Sequence, residues 1–450
     1  PDGYYKAAPG GDELIGWQVN RGIDRKADFY AAWQFERRLH RPDVLERILT
    51  AGSVELAVER ANADPRRRRE QRVNLAEDMD RLRPPAVTIH SPAEGRVVRS
   101  RSVQLRATAR SRGREPVERM TVLVNGRPMP GLKAIGVAGA DLPAGARRID
   151  VQVPLAEGEN RIGVIAATAS ATSQPVEVSV VRHVTGVVKP DLYVLAVGVS
   201  DYAVDELDLR FADRDAEALA EAFAAQEGRL FRRVHAKRLL NAEATRMNIL
   251  KGLKWLRRGV TQRDVAVVFV SGHGQRDAAG DYYFVSHDAD PEMIDVSAVH
   301  WARLRESISS LPCKVLLTMD TCHSGMMVER RPGQRLRGGD LTDVVRELTS
   351  IESGVVVMTS SMGREVSRER DEWGHGAFAL SIVEALTGRH KFRGSTKTKL
   401  PADLNDDGAI DLIELDVYVT HRVKELTGGT QHPLTERGRI PAFPLAASGK

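Results

Sequence analysis

A histidine and a cysteine stand where they could act together on a carbonyl carbon. His273 belongs to the sequence SGHG, which follows the apolar run Asp264–Val270, and Cys322 belongs to DTCHSG, which follows the apolar run Lys314–Met319. A thiolate is the attacking form of cysteine, and a nearby imidazole can take the thiol proton and later give it to a leaving group. The pair therefore predicts covalent catalysis, with Cys322 as nucleophile and His273 as base.

The glycine after the histidine serves the same chemistry. Gly274 has no side chain, so its backbone can approach a substrate closely. We expect the N–H groups of Gly274 and Cys322 to bind the oxyanion that forms during attack. The alternative is that His273 is a satisfied core histidine and Cys322 a small buried residue, which is how we interpret the other cysteine, Cys313, before its strand.

The elements that must position this pair alternate between strands and helices. Strands are predicted at Leu192–Val199, Arg233–Leu240, Asp264–Val270, Lys314–Met319 and Gly354–Thr359, and helices at Ala212–Ala225 and Glu243–Arg257. Near-continuous apolar strands between helices indicate a mostly parallel sheet with helices on both faces. In such sheets the site lies beyond the carboxyl ends of the strands, which is where His273 and Cys322 fall.

These two motifs resemble those of the caspase-like cysteine peptidases. The resemblance covers roughly residues 190–450 and is closest to the metacaspase and paracaspase branch and its bacterial relatives. Caspases carry the histidine about 50 residues before the cysteine, and His273 precedes Cys322 by 49. The resemblance implies an α/β caspase–haemoglobinase-like fold and a cysteine endopeptidase. The residues around Cys322 depart from the animal caspase signature QACxG, which puts aspartate specificity in doubt.

The resemblance also implies an acidic first subsite that accepts Arg, with Lys as a second accepted residue. Asp215, Asp320 and Glu365 are similar to the acids of that subsite, and each follows a predicted strand. A pocket walled by carboxylates favours a cation, and a guanidinium can pair with it bidentately. The alternatives are a helix N-terminal carboxylate for Asp215 and a solvated loop acid for Glu365.

The segment after the nucleophile, Glu329–Gly339, is basic and contains glycine and proline. In caspase relatives this region often separates the large and small parts of the catalytic domain and can be cut. An Arg-specific enzyme could cleave itself there, and the candidate sites are Arg330, Arg331, Arg335 and Arg337. A flexible loop that faces the substrate is an equal alternative.

Residues 403–414 match the twelve-residue calcium loop of an EF-hand, with Gly408 at its sixth position. The ligands would be Asp403, Asn405, Asp407, Ala409 through its carbonyl, Asp411 and Glu414. A helix is predicted after the loop, at Leu412–Leu426, and the alternative is a turn that caps this helix. Calcium is the candidate cofactor, and the cysteine chemistry itself requires none.

Three stretches divide the chain. Residues 1–83 are predicted as an N-terminal segment or linker, the tail of a longer protein; residues 84–185 as a β-sandwich that resembles an immunoglobulin-like domain; and residues 186–450 as the peptidase domain. The sandwich prediction rests on alternating runs such as VQLRATA and IDVQV, which are separated by turn signals. We expect the sandwich or the N-terminal segment to hold a regulatory protein partner.

Composition restricts the remaining classes. The 450 residues include 42% hydrophobic and 28% charged residues, carry a net charge of +5 and contain two cysteines, which suits a reducing, cytoplasmic setting. No apolar run approaches the roughly 20 residues of a membrane helix. The arginine run at 66–69 lacks interleaved aromatic residues, so direct nucleic-acid binding is not expected.

Two alternatives stand beside the endopeptidase. One is a catalytically silent scaffold with the caspase fold, which would usually have lost one residue of the pair, whereas this chain keeps both His273 and Cys322. The other is a different peptidase of the same clan, with the same dyad and another regulator. The expected substrate is a protein or peptide.

Overall fold

The computed structural model divides the chain into two compact units, Pro1–Val184 and Thr185–Lys450. The residues it describes are 3–8, 10–20, 22–24, 26–63, 72–129, 142–183, 188–277, 281–322, 342–349, 354–361, 365–388, 400–438 and 440–447. The candidate self-cleavage sites Arg330, Arg331, Arg335 and Arg337 lie outside the described residues. The division at 83/84 and 185/186 stays a prediction.

The first unit combines short helices with β-sheets. Its helices are α1 (Gly11–Leu14), α2 (Glu36–Leu39), α3 (Pro42–Ala51), α4 (Val54–Asn62) and α5 (Leu75–Leu82). Its strands are β1 (Gly16–Val19), β2 (Asp28–Ala31), β3 (Ala86–Ser91), β4 (Arg96–Val98), β5 (Ser102–Arg110), β6 (Arg119–Val124), β7 (Arg127–Pro128), β8 (Arg147–Pro154), β9 (Gly158–Ala167) and β10 (Val176–Arg182). Residues 42–62 form two helices and not one, because Gly52 takes φ 76° after α3 and ends it. The Ser53 hydroxyl then caps the start of α4.

The strands after residue 85 form two sheets around one core. One sheet has the order β4-β10-β9-β6-β7 and the other the order β3-β5-β8. Leu105 and Ala107 of β5 share a buried cluster with Met120 and Val122 of β6, so the two sheets pack through their apolar faces. The alternating runs were predicted as strands and form strands; the assignment to the immunoglobulin-like class stays a prediction.

The second unit is built on a mostly parallel sheet. Its strands are β11 (Leu192–Gly198), β12 (Val234–Leu240), β13 (Val265–Arg276), β14 (Tyr282–Phe284), β15 (Val299–His300), β16 (Lys314–Cys322), β17 (Val356–Thr359), β18 (Glu369–Arg370), β19 (His375–Gly376), β20 (Ala409–Asp411), β21 (Leu434–Glu436) and β22 (Pro444–Ala447). Its helices are α6 (Ala212–Ala224), α7 (Arg246–Gly259), α8 (Ile294–Ser297), α9 (Trp301–Ser309), α10 (Thr342–Thr349), α11 (Ala377–Thr387) and α12 (Leu412–Thr427). The main sheet has the order β12-β11-β13-β16-β17-β21, and its pairs are parallel except β17 with β21.

Each face of this sheet carries its own core, because successive side chains of a strand point to opposite faces. Leu195 and Val197 of β11 pack in the core that α7, α9 and α10 cover. Val194 and Ala196 of the same strand pack in the core that α6, α11 and α12 cover. The predicted arrangement of a mostly parallel sheet with helices on both faces is confirmed. Among the described residues, no helix has the length and apolar character needed to cross a membrane.

Candidate active site

His273 and Cys322 are register partners on the neighbouring parallel strands β13 and β16. The predicted strand ends at Val270 and Met319 are wrong, because the ladder continues through Ser271 and Asp320 to this pair. The strands extend past their apolar runs because these polar positions stay buried, and β14 then pairs with the end of β13. Neighbouring strands lie about 4.8 Å apart, so the sheet brings the two backbones together.

The His273 ring is held in one orientation. Its Nε2 lies 2.8 Å from the carbonyl oxygen of Leu207, and the Tyr202 ring packs against it at 5.2 Å between centroids. The Tyr202 hydroxyl also accepts the His273 backbone N–H at 2.9 Å. Because a carbonyl oxygen only accepts, Nε2 carries the proton, and Nδ1 of the neutral ring has the lone pair that a base needs.

Burial favours this neutral form. His273 is buried, and desolvation lowers the pKa of its imidazole, while the hydrogen bond to Leu207 acts in the opposite direction. A neutral imidazole can accept a thiol proton, whereas an imidazolium cannot. The lowered pKa thus favours the protonation state that the predicted base requires.

Two tyrosines require the glycines that flank His273. A Cβ on Gly274 would lie 1.9 Å from the Tyr282 hydroxyl oxygen, and one on Gly272 would lie 2.9 Å from that of Tyr202. The Tyr282 hydroxyl donates to Thr321 Oγ1 at 2.9 Å, so it joins β14 to the residue before the cysteine. The tyrosines thus fix the backbone on both sides of the histidine. The oxyanion roles of the Gly274 and Cys322 N–H groups stay predictions.

Two of the three predicted pocket acids meet beside Gly376. A Cβ on this glycine would lie 3.0 Å from Asp215 Oδ2 and 3.2 Å from Asp320 Oδ2. Asp215 also accepts a hydrogen bond from the Gly376 N–H at 3.1 Å, and its Oδ1 lies 2.7 Å from His375 Nδ1. Burial raises the pKa of Asp215 well above its usual range, and the Asp320 charge raises it further.

Asp320 is buried, and only one of its two carboxylate oxygens is satisfied by the described residues. Its Oδ1 has no hydrogen-bond partner among the residues that the structure describes. Burial raises the pKa of the Asp320 carboxyl, and hydrogen bonds from the hydroxyls of Ser367 and Ser360 partly offset that rise. An unpaired carboxylate oxygen in a buried site is costly, and a cationic ligand would relieve that cost.

Glu369 joins these acids, and the sequence analysis missed it. Its backbone pairs with that of Gly376 across β18 and β19, and its charge adds to the rise in the pKa of Asp215. Burial raises the pKa of Glu369 to about 7, the Asp320 charge adds to the rise, and Arg210 opposes it. The third predicted acid, Glu365, is engaged with His432, whose backbone N–H and Nδ1 lie 2.8 and 2.9 Å from its carboxylate oxygens. Its place in the subsite stays a prediction.

The comparison with known families agrees with this fold. The caspase domain model matches residues 192–441, which is more than half of the 450-residue chain. The chain belongs to the caspase domain family. Members of this family are cysteine peptidases, so the family supports a cysteine peptidase activity for the second unit. The metacaspase or paracaspase branch stays a prediction.

Solved structures resemble parts of the chain distantly. Protein GSU0716 from Geobacter sulfurreducens is 15% identical with a TM-score of 0.38, and the match covers 58% of this chain and 95% of that one. The fibronectin(III)-like modules of CbhA from Clostridium thermocellum are 24% identical with a TM-score of 0.17, over 22% of this chain and 46% of that one. No curated protein matches the chain.

The EF-hand-like loop of the caspase domain precedes α12. Asp411 caps this helix by accepting the N–H groups of Ile413 and Glu414, and Glu414 accepts the Asp411 N–H in return at 3.0 Å. The capping role that the sequence allowed is therefore present, and it leaves a calcium role open. Within the described ranges, no three His, Cys, Asp or Glu side chains are already grouped as a metal site.

Tyr202, Tyr282 and Glu369 are the site residues that sequence reasoning did not find. Both tyrosines act through hydroxyl contacts with residues 71 and 39 positions away in the chain. Glu369 stands in the charged run SRERDE, which is typical of a solvated surface. In the SGHG motif, the glycines on both sides of His273 indicate that another group packs closely against positions 272 and 274. Cys313, interpreted as a structural residue, is fully buried.

Proposed function

We propose that this caspase domain is a cysteine endopeptidase that cleaves after Arg, and also after Lys, through a dyad of His273 and Cys322. The observation that carries the proposal is the direct register of these residues at the carboxyl ends of β13 and β16. The buried carboxylates of Asp215 and Asp320, the latter from the same strand as Cys322, supply its specificity. A metacaspase- or paracaspase-like enzyme fits this combination.

The reaction follows from the tautomer of His273. Nδ1 takes the Cys322 thiol proton, and the thiolate attacks the substrate carbonyl carbon. The resulting oxyanion accepts hydrogen bonds from the backbone N–H groups of Gly274 and Cys322. His273 then gives its proton to the leaving amine, which departs and leaves a thioester. Water, deprotonated by the same imidazole, hydrolyses the thioester and restores the thiol.

The preference for a basic residue follows from three carboxyl groups that lie close together. Asp215 and Asp320 lie beside Gly376, Glu369 interacts electrostatically with both, and the pKa of each of the three carboxyls is raised. Neighbouring carboxyl groups with raised pKa values resist ionising together, because their negative charges repel one another. A substrate cation that pairs with them offsets this repulsion and therefore binds favourably. A guanidinium can serve two carboxylates at once, which favours Arg over Lys. An acidic substrate residue would be repelled.

We also propose three ways in which the peptidase could be regulated. Cleavage within 329–339, a protein bound by the β-sheet region or the N-terminal segment, or calcium would control the enzyme. The two-sheet region of the first unit, whose sheets share one core, would then be an immunoglobulin-like binding module.

The test is cleavage of fluorogenic peptides that differ only in Arg, Lys or Asp before the scissile bond. We expect the order Arg, Lys, Asp, with Cys322→Ala and His273→Ala both inactive. Asp320→Asn should lower kcat/KM for the Arg peptide about 10- to 100-fold, because a hydrogen bond to a charged group contributes about 1.5–3 kcal/mol. Preference for the Asp peptide would refute the pocket but keep the dyad. Wild-type activity in Cys322→Ala would refute the dyad.

Absence of cleavage would favour the alternative that the chain is a catalytically silent scaffold. If no peptide is cleaved by protein purified with or without calcium, or after limited proteolysis within 329–339, the endopeptidase proposal fails. Correct folding is checked on the same samples by circular dichroism, so that a misfolded preparation is not counted as an inactive enzyme.

A further inference from the structure

The loop 403–414 is held in a tight turn by hydrogen bonds to its own side chains. The Asn405 side chain accepts the Asp407 N–H at 2.9 Å, and the Asp407 side chain accepts the Ala409 N–H at 2.9 Å. Asp403 Oδ2 accepts the Gly408 N–H across the loop at 3.1 Å. Gly408 has φ 83°, which lets the chain turn sharply at the sixth position.

A separate observation points to a missing ligand. Asp403 is 6% exposed, and its Oδ1 has no hydrogen-bond partner among the described residues. Because Oδ2 of the same carboxylate bonds to Gly408 across the loop, the carboxylate lies on the inner side of the turn. A buried carboxylate with an unsatisfied oxygen is costly, and a bound cation removes that cost.

We propose that residues 403–414 bind one calcium ion, and this proposal does not depend on whether the chain is a peptidase. The ligands are the side chains of Asp403, Asn405 and Asp407, the Ala409 carbonyl, a water on Asp411 and the Glu414 carboxylate. This set offers a hard cation oxygen atoms only. Its several carboxylates and single-loop flexibility suit calcium better than magnesium, which demands a stricter octahedron and keeps more water.

Binding requires the carboxylates to draw together. In the present arrangement Glu414 Oε1 accepts the N–H groups of Leu404 and Asn405, at 3.0 and 3.2 Å. These bonds keep the Glu414 carboxylate against the start of the loop, on the same side as Asp403. Mutual repulsion spreads carboxylates until a cation is present, so calcium shortens the distances within a loop that is already closed.

The expected consequence is a firmer attachment of α12. The loop runs into β20, which pairs with β22, and then directly into α12. On α12, Arg422 forms a buried ion pair with Glu384 of α11, with Nε to Oε2 at 2.7 Å. Calcium therefore holds the first turn of a helix whose later turns are anchored in the core.

The experiment is isothermal titration of the full chain with calcium chloride, in the Cys322→Ala background so that self-cleavage adds no heat. We expect one site with a Kd between about 1 μM and 1 mM and weaker binding of magnesium chloride. Glu414→Gln and Asp403→Asn should each weaken calcium binding more than about tenfold. Asp406→Asn is the matched control: Asp406 is a non-ligand fourth position with φ 64°, and asparagine tolerates that backbone.

Thermal melting separates ligand loss from misfolding. Saturating calcium should raise Tm by roughly 5 °C in the parent and in Asp406→Asn, but not in Glu414→Gln. In EDTA, Asp403→Asn should melt no lower than the parent, because the change removes an uncompensated buried charge and keeps an oxygen for Gly408. Absence of binding at about 5 mM calcium, or equal affinity of Glu414→Gln and the parent, overturns the proposal.

Discussion

Replacing Glu369 with glutamine should make the substrate-free protein more stable at pH 8. Burial and the charge of Asp320 raise the pKa of Glu369 from 4.5 to about 7. The folded state therefore binds the proton more tightly than the unfolded state does. Consequently the free energy of unfolding falls as pH rises from about 4.5 to about 7. Glutamine cannot ionise, so the variant avoids that loss.

The magnitude follows from the pKa difference. A rise from 4.5 to about 7 corresponds to about 3 kcal/mol, at about 1.4 kcal/mol for each pKa unit. Glu369 is only partly buried, and solvent screening reduces this to roughly 1–2 kcal/mol. Nearly all of the increase in the free energy of unfolding of Glu369→Gln over wild type should appear at pH 8. Little should appear at pH 5, where Glu369 stays mostly protonated in the folded wild type.

The assay is urea denaturation of wild type and Glu369→Gln at pH 5 and pH 8. Glu365→Gln is the matched control, since it makes the same change in a carboxylate that bonds to His432 and should lower stability slightly at both pH values. The same variants are then assayed on the Arg peptide, where Glu369→Gln should lose about tenfold in kcat/KM. A Glu369→Gln protein less stable than wild type at pH 8 would refute the reasoning about crowded acids.

Three further predictions concern the same region. The kcat/KM for an Arg peptide should fall as pH decreases through about 7, because protonated Glu369 no longer attracts the guanidinium; a pH profile that Glu369→Gln leaves unchanged would contradict this. Gly274→Ala should lower the free energy of unfolding by about 1–3 kcal/mol, measured in urea, because its Cβ meets the Tyr282 hydroxyl. Tyr202→Phe should cost about 1–3 kcal/mol and reduce kcat, because the buried His273 N–H loses its acceptor; unchanged Tm and kcat would exclude this role.

The sequence predicted the parallel sheet well because its strands are apolar on both faces. Runs such as Val265–Val270 are continuous since two separate cores receive their alternate side chains. Where the strands end was harder to predict. Ser271 and Thr321 are polar and interrupt the pattern, yet the ladder buries them, so the strands run on to His273 and Cys322.

The acidic pocket was predicted only in part, for a physical reason. Asp215 and Asp320 follow predicted strands or begin a helix, and strand ends meet at one edge of a sheet. Glu369 reaches the same place through a short hairpin that folds back onto the site, and no local pattern indicates such a return. A charged run predicts solvation unless a long-range contact shields one of its members, and the hairpin partly buries Glu369 in this way.

The position of the proposed catalytic pair within the sheet would limit how such a peptidase is switched. His273 and Cys322 lie inside paired strands, and the tyrosine contacts at 202 and 282 brace their backbones. The wall that carries Glu369 is only the two-residue strand β18 paired with β19. A latent form of the proposed peptidase would thus differ from its active form at β18 and β19, while His273 and Cys322 stay aligned. Such a form would still react with a small thiol reagent but would not cleave a peptide. The fraction of molecules that the reagent labels, compared with the peptidase activity, would therefore measure the latent fraction.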